Sequence, residues 1–125
     1  MNILIVDDSA TIRLAMRMLL KKEYSDALIV EAVDGKNALH ALTENVFDLI
    51  ITDLEMGEHD GDKFIEKLLN NKILKKKKII IYSSSEDYLI RFKLKVPKNV
   101  RFINKTEKST EIMNKIRQFI DEQIL

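Results

Sequence analysis

The chain has 125 residues, 46% hydrophobic and 33% charged, with a net charge of +1, as expected of a single soluble domain that buries roughly two-thirds of its unfolded surface. Its apolar runs fall far short of the ~20 residues a bilayer span needs, and two aspartates close the opening apolar run where a signal peptide would carry a cleavage site, so a cytoplasmic location without membrane insertion is expected. The absence of cysteine excludes disulfides, thiol catalysis and Cys-ligated zinc.

In chain order, strand-like runs stand at Ile3 to Val6, Ala27 to Ala32, Leu49 to Thr52, Ile79 to Tyr82 and Val100 to Ile103. The segments between them are long enough for helices, an alternation that predicts a doubly wound parallel α/β sheet with helices on both faces. The first and third runs are almost wholly apolar, as befits strands buried on both sides. Ile12, Ala15, Met16, Leu19 and Leu20 keep the i, i+3, i+4, i+7, i+8 spacing of a helix stripe, as do Ile112, Met113, Ile116, Phe119 and Ile120 near the other end. Asp34-Gly35 and Asp60-Gly61 read as capped entries into helices carrying Ala38 to Leu42 and Phe64 to Leu69. Glu86 to Val96 mixes helical and strand-like spacing and is read as a short helix that Pro97 ends. The whole chain, 1–125, is expected to form one domain.

The net charge conceals a division. Residues 1–71 sum to −7, residues 72–105 to +9 and residues 106–125 to −1. Such asymmetry can mark a binding face for an acidic partner or for nucleic acid. The run Lys75 to Lys78 is read as solvated surface, because no aromatic residues interleave it as a nucleic-acid stacking surface would require. Nor does any segment remain for a recognition helix, so DNA binding is not expected.

Four strand-like runs end on residues suited to metal or phosphate: Asp7 and Asp8, Asp53, Ser83 and Lys105. In open parallel sheets ligands bind beyond the carboxyl ends of the strands, so these groups are expected to converge. Three clustered carboxylates repel one another unless a cation neutralises them, and an oxygen-only donor set favours Mg²⁺. Asp53, single and at the end of a central strand, is the best nucleophile toward a phosphoryl donor. Ser83 and Lys105 would then contact the phosphoryl oxygens, although Ser83 also suits a helix cap and Lys105 a structural ion pair. His59, alone in a loop, reads as solvated.

The segments Ile3-Leu4-Ile5-Val6-Asp7-Asp8-Ser9 and Asp48-Leu49-Ile50-Ile51-Thr52-Asp53-Leu54-Glu55-Met56 resemble the opening acid pair and the phosphoacceptor segment of bacterial response regulator receiver domains, in particular stand-alone chemotaxis-type receivers. Asp60-Gly61, Ser83, Phe102 and Lys105 follow in family order and spacing. The resemblance implies a flavodoxin-like receiver fold, five helices around a five-stranded sheet of order 2-1-3-4-5. It implies that Asp53 takes a phosphoryl group from a sensor histidine kinase, and that Asp8, Asp53 and the backbone carbonyl of Glu55 bind Mg²⁺ directly, with Asp7 acting through water. It also gives Ser83 and Lys105 the task of holding the phosphoryl group. Ser83 and Phe102 would form a switch remodelling the face made by the fourth helix, fifth strand and fifth helix. The chain would catalyse only its own phosphorylation and dephosphorylation, in a signalling role that includes chemotaxis or motility.

Four features depart from the family pattern. Thr106 and Gly57 stand where prolines are usual, Glu55 adds a carboxylate expected to alter phosphoryl lifetime, and Arg91, Lys95, Lys98 and Arg101 make the expected output face basic. Those basic residues suggest an acidic protein partner. Two alternatives follow from the same residues. One is a receiver-fold docking scaffold that is never phosphorylated. The other is a small aspartyl-nucleophile phosphohydrolase, for which Glu55 has the spacing of an acid/base but no insertion supplies a lid. A flavin module would need hydroxyls and glycines where Asp7 and Asp8 stand.

Overall fold

The computed structural model describes residues 1–54, 64, 66–68, 70, 77–84 and 97–123. Its elements run β1 (Asn2–Val6), α1 (Ala10–Glu23), β2 (Leu28–Ala32), α2 (Gly35–Glu44), β3 (Leu49–Thr52), β4 (Lys78–Ser83), β5 (Val100–Asn104) and a C-terminal helix, α3 (Ser109–Asp121). Between β3 and β4, Phe64, Glu66, Lys67, Leu68 and Asn70 are helical. The Asp60-Gly61 entry and the segment from Glu86 to Val96 lie outside the described residues.

All five strands are parallel, in the order β2-β1-β3-β4-β5, which is the doubly wound fold expected. The period-2 alternation of side chains divides the core into two layers. Ile3, Ile5, Leu49, Ile51, Ile80 and Tyr82 pack with Met16 and Leu20 of α1 and with Ile112, Ile116 and Phe119 of α3. Leu4, Val6, Ile50, Ile79 and Ile81 pack with Ala38 and Ala41 of α2 and with Phe64 and Leu68. Every residue of β3 is buried, which is why that strand carries no polar side chain except Thr52, fully buried at its end. Among the described residues no helix is long and apolar enough to cross a membrane.

The helix starts follow from their caps. Ser9 accepts from the Ile12 N–H at 3.3 Å, and Asp34 from the Asn37 N–H at 2.8 Å, each satisfying an amide that the first helical turn leaves without a partner. Ala15, expected on the packed stripe of α1, is exposed. It lies at the stripe's edge, so the burial falls on Met16 and Leu20, with Ile12 and Leu19 half-buried beside them.

Strand ends differ slightly from expectation. Ala27 is not in β2, because its N–H closes a turn on the Tyr24 carbonyl at 3.0 Å while Leu28 begins the ladder on the Met1 carbonyl at 2.9 Å. β4 and β5 each run one residue further than the apolar pattern, to Ser83 and Asn104, which face each other in register. Polarity at a strand end reflects what the ladder presents to the site, so apolar runs underestimate strand length there.

Candidate functional site

Strand pairing aims the polar groups. Asp7 donates its N–H to the Ala32 carbonyl at 3.1 Å, Asp53 to the Val6 carbonyl at 2.9 Å, and Lys105 to the Ser83 carbonyl at 3.0 Å. Each ladder thus ends on the amide of a site residue, so the sheet itself fixes where these residues stand.

The side chains then converge. Oxygens of Asp7, Asp8 and Asp53 all lie within 4.8 Å of one another, with Asp7 and Asp53 buried and Asp8 exposed. The Lys105 ammonium lies 2.8 Å from Asp53 Oδ2 and 2.7 Å from Asp7 Oδ2. The ammonium bridges the two buried carboxylates, with a hydrogen bond to Asp53 and an ion pair to Asp7. Lys105 is therefore at once a structural ion pair and a member of the site. Asp53 Oδ1 accepts from the Leu54 N–H at 2.7 Å, and Asp7 Oδ1 from the Ser9 N–H at 2.9 Å.

Electrostatics reflect this crowding. Burial pushes the Asp7 carboxyl above its usual value, and the neighbouring Asp53 charge adds to that push; Lys105 and the Ser9 N–H oppose it without overcoming it. Burial alone would lower the Lys105 ammonium, but its hydrogen bond to Asp53 and its contact with Asp7 raise it above the usual lysine value. The Tyr82 ring lies 5.8 Å from the ammonium, adding an aromatic face to the lysine's surroundings.

Ser83 is completely buried at the end of β4, whereas Ser84 is exposed. Ser83 is the last residue of β4, and the segment after Ser84, where a helix for it to cap would begin, lies outside the described residues. Phe102 is half-buried against the α2 layer. Glu55, Gly57, His59, Arg91 and Lys95 lie outside the described residues. Lys98 is exposed. Arg101 is engaged within the chain: Nη2 lies 2.9 Å from both Glu122 oxygens, and its guanidinium stacks 4.9 Å from the Phe119 ring centroid. Lys78 bonds the Ile120 carbonyl, so at least one residue of the lysine run braces the C-terminal helix.

The Thr106 position has its own solution. Asn104 Oδ1 accepts from the Thr106 N–H at 2.9 Å and from its hydroxyl at 2.7 Å, while the Asn104 N–H donates to Glu107 at 3.2 Å. This side-chain turn uses an N–H that proline lacks. Neither this turn nor Arg13, which donates to the Asp7 carbonyl at 2.7 Å, stood out in the sequence. An asparagine two residues before a threonine and an arginine on α1 are the only traces they leave there.

Among the described residues the cluster consists of three carboxylates, a donor set suited to a hard divalent cation. The exposed Asp8 carboxylate beside the buried ones of Asp7 and Asp53 leaves this set open to such a group from solvent.

Comparison with known proteins agrees with the geometry. A family model for the response regulator receiver domain matches residues 3–117. The protein PilG of Pseudomonas aeruginosa is 26% identical over 120 residues, covering 96% of this chain and 87% of PilG. The chemotaxis protein CheV1 of Helicobacter pylori is 30% identical over 124 residues, covering 95% of this chain but only 38% of CheV1. The solved structure of the response regulator TrrA of Thermotoga maritima, in complex with Mg²⁺-BeF, superposes with a TM-score of 0.74 at 24% identity, covering 94% of this chain and 97% of TrrA; at that identity the likeness speaks for the fold. With strand order, an acid cluster at the strand exits and a family match across nearly its whole length, the chain belongs to the response regulator receiver domain family.

Proposed function

We propose that residues 1–125 act as one phosphoacceptor receiver of a two-component system, in the cytoplasm, taking a phosphoryl group from a sensor histidine kinase onto Asp53. The observation that carries this reading is the Asp53 carboxylate itself. It is buried at the end of the central strand, 2.8 Å from the Lys105 ammonium, and grouped with Asp7 and Asp8. An Asp53 oxygen attacks phosphorus, the bond to the donor imidazole breaks with its electron pair returning to the ring nitrogen, and an acyl phosphate forms. Lys105 neutralises charge on the group received, and the Ser83 hydroxyl hydrogen-bonds it.

Asp8, Asp53 and the Glu55 carbonyl would hold Mg²⁺ directly, with Asp7 acting through water. When bound, the ion supplies charge neutralisation for phosphoryl transfer. TrrA, which shares this fold, holds Mg²⁺-BeF, in keeping with a metal at this site. Movement of Ser83 toward the phosphoryl group frees Phe102 to turn inward, a population shift limited by the difference in contacts between the two states. The name of CheV1 supports a role in chemotaxis or motility.

The test is intact mass after incubation with acetyl phosphate, with and without Mg²⁺, for the natural chain and Asp53→Ala. A gain of one phosphoryl group that needs both Mg²⁺ and Asp53 is expected. Absence of any gain in folded protein with Mg²⁺ present rejects the reading and favours an unphosphorylated scaffold.

The output partner on this reading is an acidic protein surface. Lys98 is exposed to meet it, whereas Arg101 already shares its charge with Glu122, so Lys98→Glu is expected to weaken the complex several-fold more than Arg101→Gln. An affinity unmoved by Lys98→Glu and by salt rules this out.

A further inference from the structure

Behind the acid pair stands a nearly buried guanidinium. The Arg13 side chain is 14% exposed, its Nη1 donates to the Asp7 carbonyl at 2.7 Å, and its Nε donates to Glu31 Oε1 at 3.0 Å. Glu31 lies on β2 directly beside Ile5 of β1. One turn along α1, Arg17 donates to the other Glu31 oxygen at 2.9 Å and to the Ile29 carbonyl at 3.2 Å. The two arginines share one carboxylate. Arg13 also reaches the acid pair, whereas the carbonyl that Arg17 reaches lies back on β2.

We propose that Arg13, anchored by Glu31, is a positioning residue for the cation-binding acid pair; this rests on the Mg²⁺-dependent phosphoacceptor reading. Fixing the Asp7 carbonyl fixes the peptide plane between Asp7 and Asp8, and therefore the direction in which the exposed Asp8 side chain departs. The turn needs such restraint, because three carboxylates within 4.8 Å drive one another apart. Asp7 is held at four points: its N–H on Ala32, its Oδ1 on the Ser9 N–H, its Oδ2 against the Lys105 ammonium, and its carbonyl on Arg13. Of the two contacts made by distant side chains, only the Arg13 contact can be removed without unpairing a carboxylate of the site.

Position and charge predict opposite signs. A guanidinium near a cation site repels the cation, so if its field dominated, Arg13→Gln would bind Mg²⁺ more tightly. If it positions the acids, Arg13→Gln binds more weakly, by about tenfold as for other residues that orient metal ligands. Arg17→Gln removes the same charge from the same Glu31 while leaving Asp7 untouched, and should stay within about twofold of the natural chain. Arg13→Lys keeps the charge but lacks the planar fork that spans both acceptors, so it too should bind more weakly.

The measurement is calorimetric titration of Mg²⁺ alone into each protein at neutral pH, with a thermal melt of each for comparison. Weaker binding in Arg13→Gln and Arg13→Lys, with Arg17→Gln near the natural value, supports the inference. Unchanged or tighter binding in Arg13→Lys overturns it, even if Arg13→Gln does not fold. Equal losses in the Arg13 and Arg17 variants overturn it as well, since they would reflect the seating of α1 rather than the acid pair. A natural chain that takes up no Mg²⁺ overturns the phosphoacceptor reading and this inference together, an outcome distinct from the others.

Discussion

Lys105→Met is expected to lower the stability of the metal-free protein by about 3 kcal/mol at neutral pH, because removing one partner of a buried ion pair leaves uncompensated charge. Lys105 is 15% exposed and its partners Asp7 and Asp53 are 3% and 6% exposed, so water screens little of the loss. The pH dependence has a definite sign. The Lys105 ammonium titrates above its usual value in the fold, so its contribution is complete below the ordinary lysine value and disappears as pH rises through the raised one. The natural chain should therefore lose an increment of stability at alkaline pH that Lys105→Met does not possess. On the acid side the gap narrows as Asp7 takes up its proton, which begins above the ordinary carboxylate value. Mg²⁺ should restore most of the lost stability, since the carboxylates regain a counter-charge and the ion no longer competes with an ammonium. Urea denaturation with and without Mg²⁺ reads both effects; equal metal-free midpoints for the two proteins would reject the argument.

Asp7→Asn should move the other way. Burial outweighs Lys105 and Ser9 in setting the Asp7 carboxyl, which is held above its usual value. In the unfolded chain the group ionises first as pH rises, so folding stability declines between the ordinary and the raised value, and the penalty is complete once pH has passed the raised one. A neutral side chain of the same shape avoids it. Asp7→Asn keeps an oxygen for the Ser9 N–H, and Lys105 retains Asp53 at 2.8 Å, so a metal-free gain of about 1 kcal/mol is expected at pH 7. That gain should vanish as pH falls through the raised value, where the natural side chain is neutral as well. Mg²⁺ affinity should drop by about tenfold or more. The melting curves of the two proteins should therefore exchange order when Mg²⁺ is added; a variant less stable than the natural chain in both conditions would show that the Lys105 contact outweighs burial. Such an exchange of order would mark Asp7 as a residue kept for its site at a cost to the metal-free fold.

The layering of this fold was legible because β1 and β3 are buried on both faces and so read as unbroken apolar runs, and because Ser9 and Asp34 cap helices whose stripes keep the helical period. Asp7, Asp53 and Lys105 were legible for a related reason. A charged residue directly after a buried strand has little to do unless it serves the sheet's carboxyl edge. Arg13 and Glu31 carried no such signal, since a surface-type ion pair between α1 and β2 looks in sequence like any two charged residues 18 apart. Arg101 read as a free member of a basic face, and only the return of the chain past α3 shows that Glu122 meets it.

By itself, then, the amino-acid sequence determined the alternation of strands and helices, the residues at the strand exits and the family, because periodicity and local capping are properties of neighbouring residues. Tertiary structure alone decided that Lys105 lies against both Asp7 and Asp53, that a side-chain turn at Asn104 occupies the place of the family's proline, and that Arg13 holds the acid pair from behind. Those features depend on distances between residues far apart in the chain, and they exist only once the register of β2, β1, β3, β4 and β5 is set.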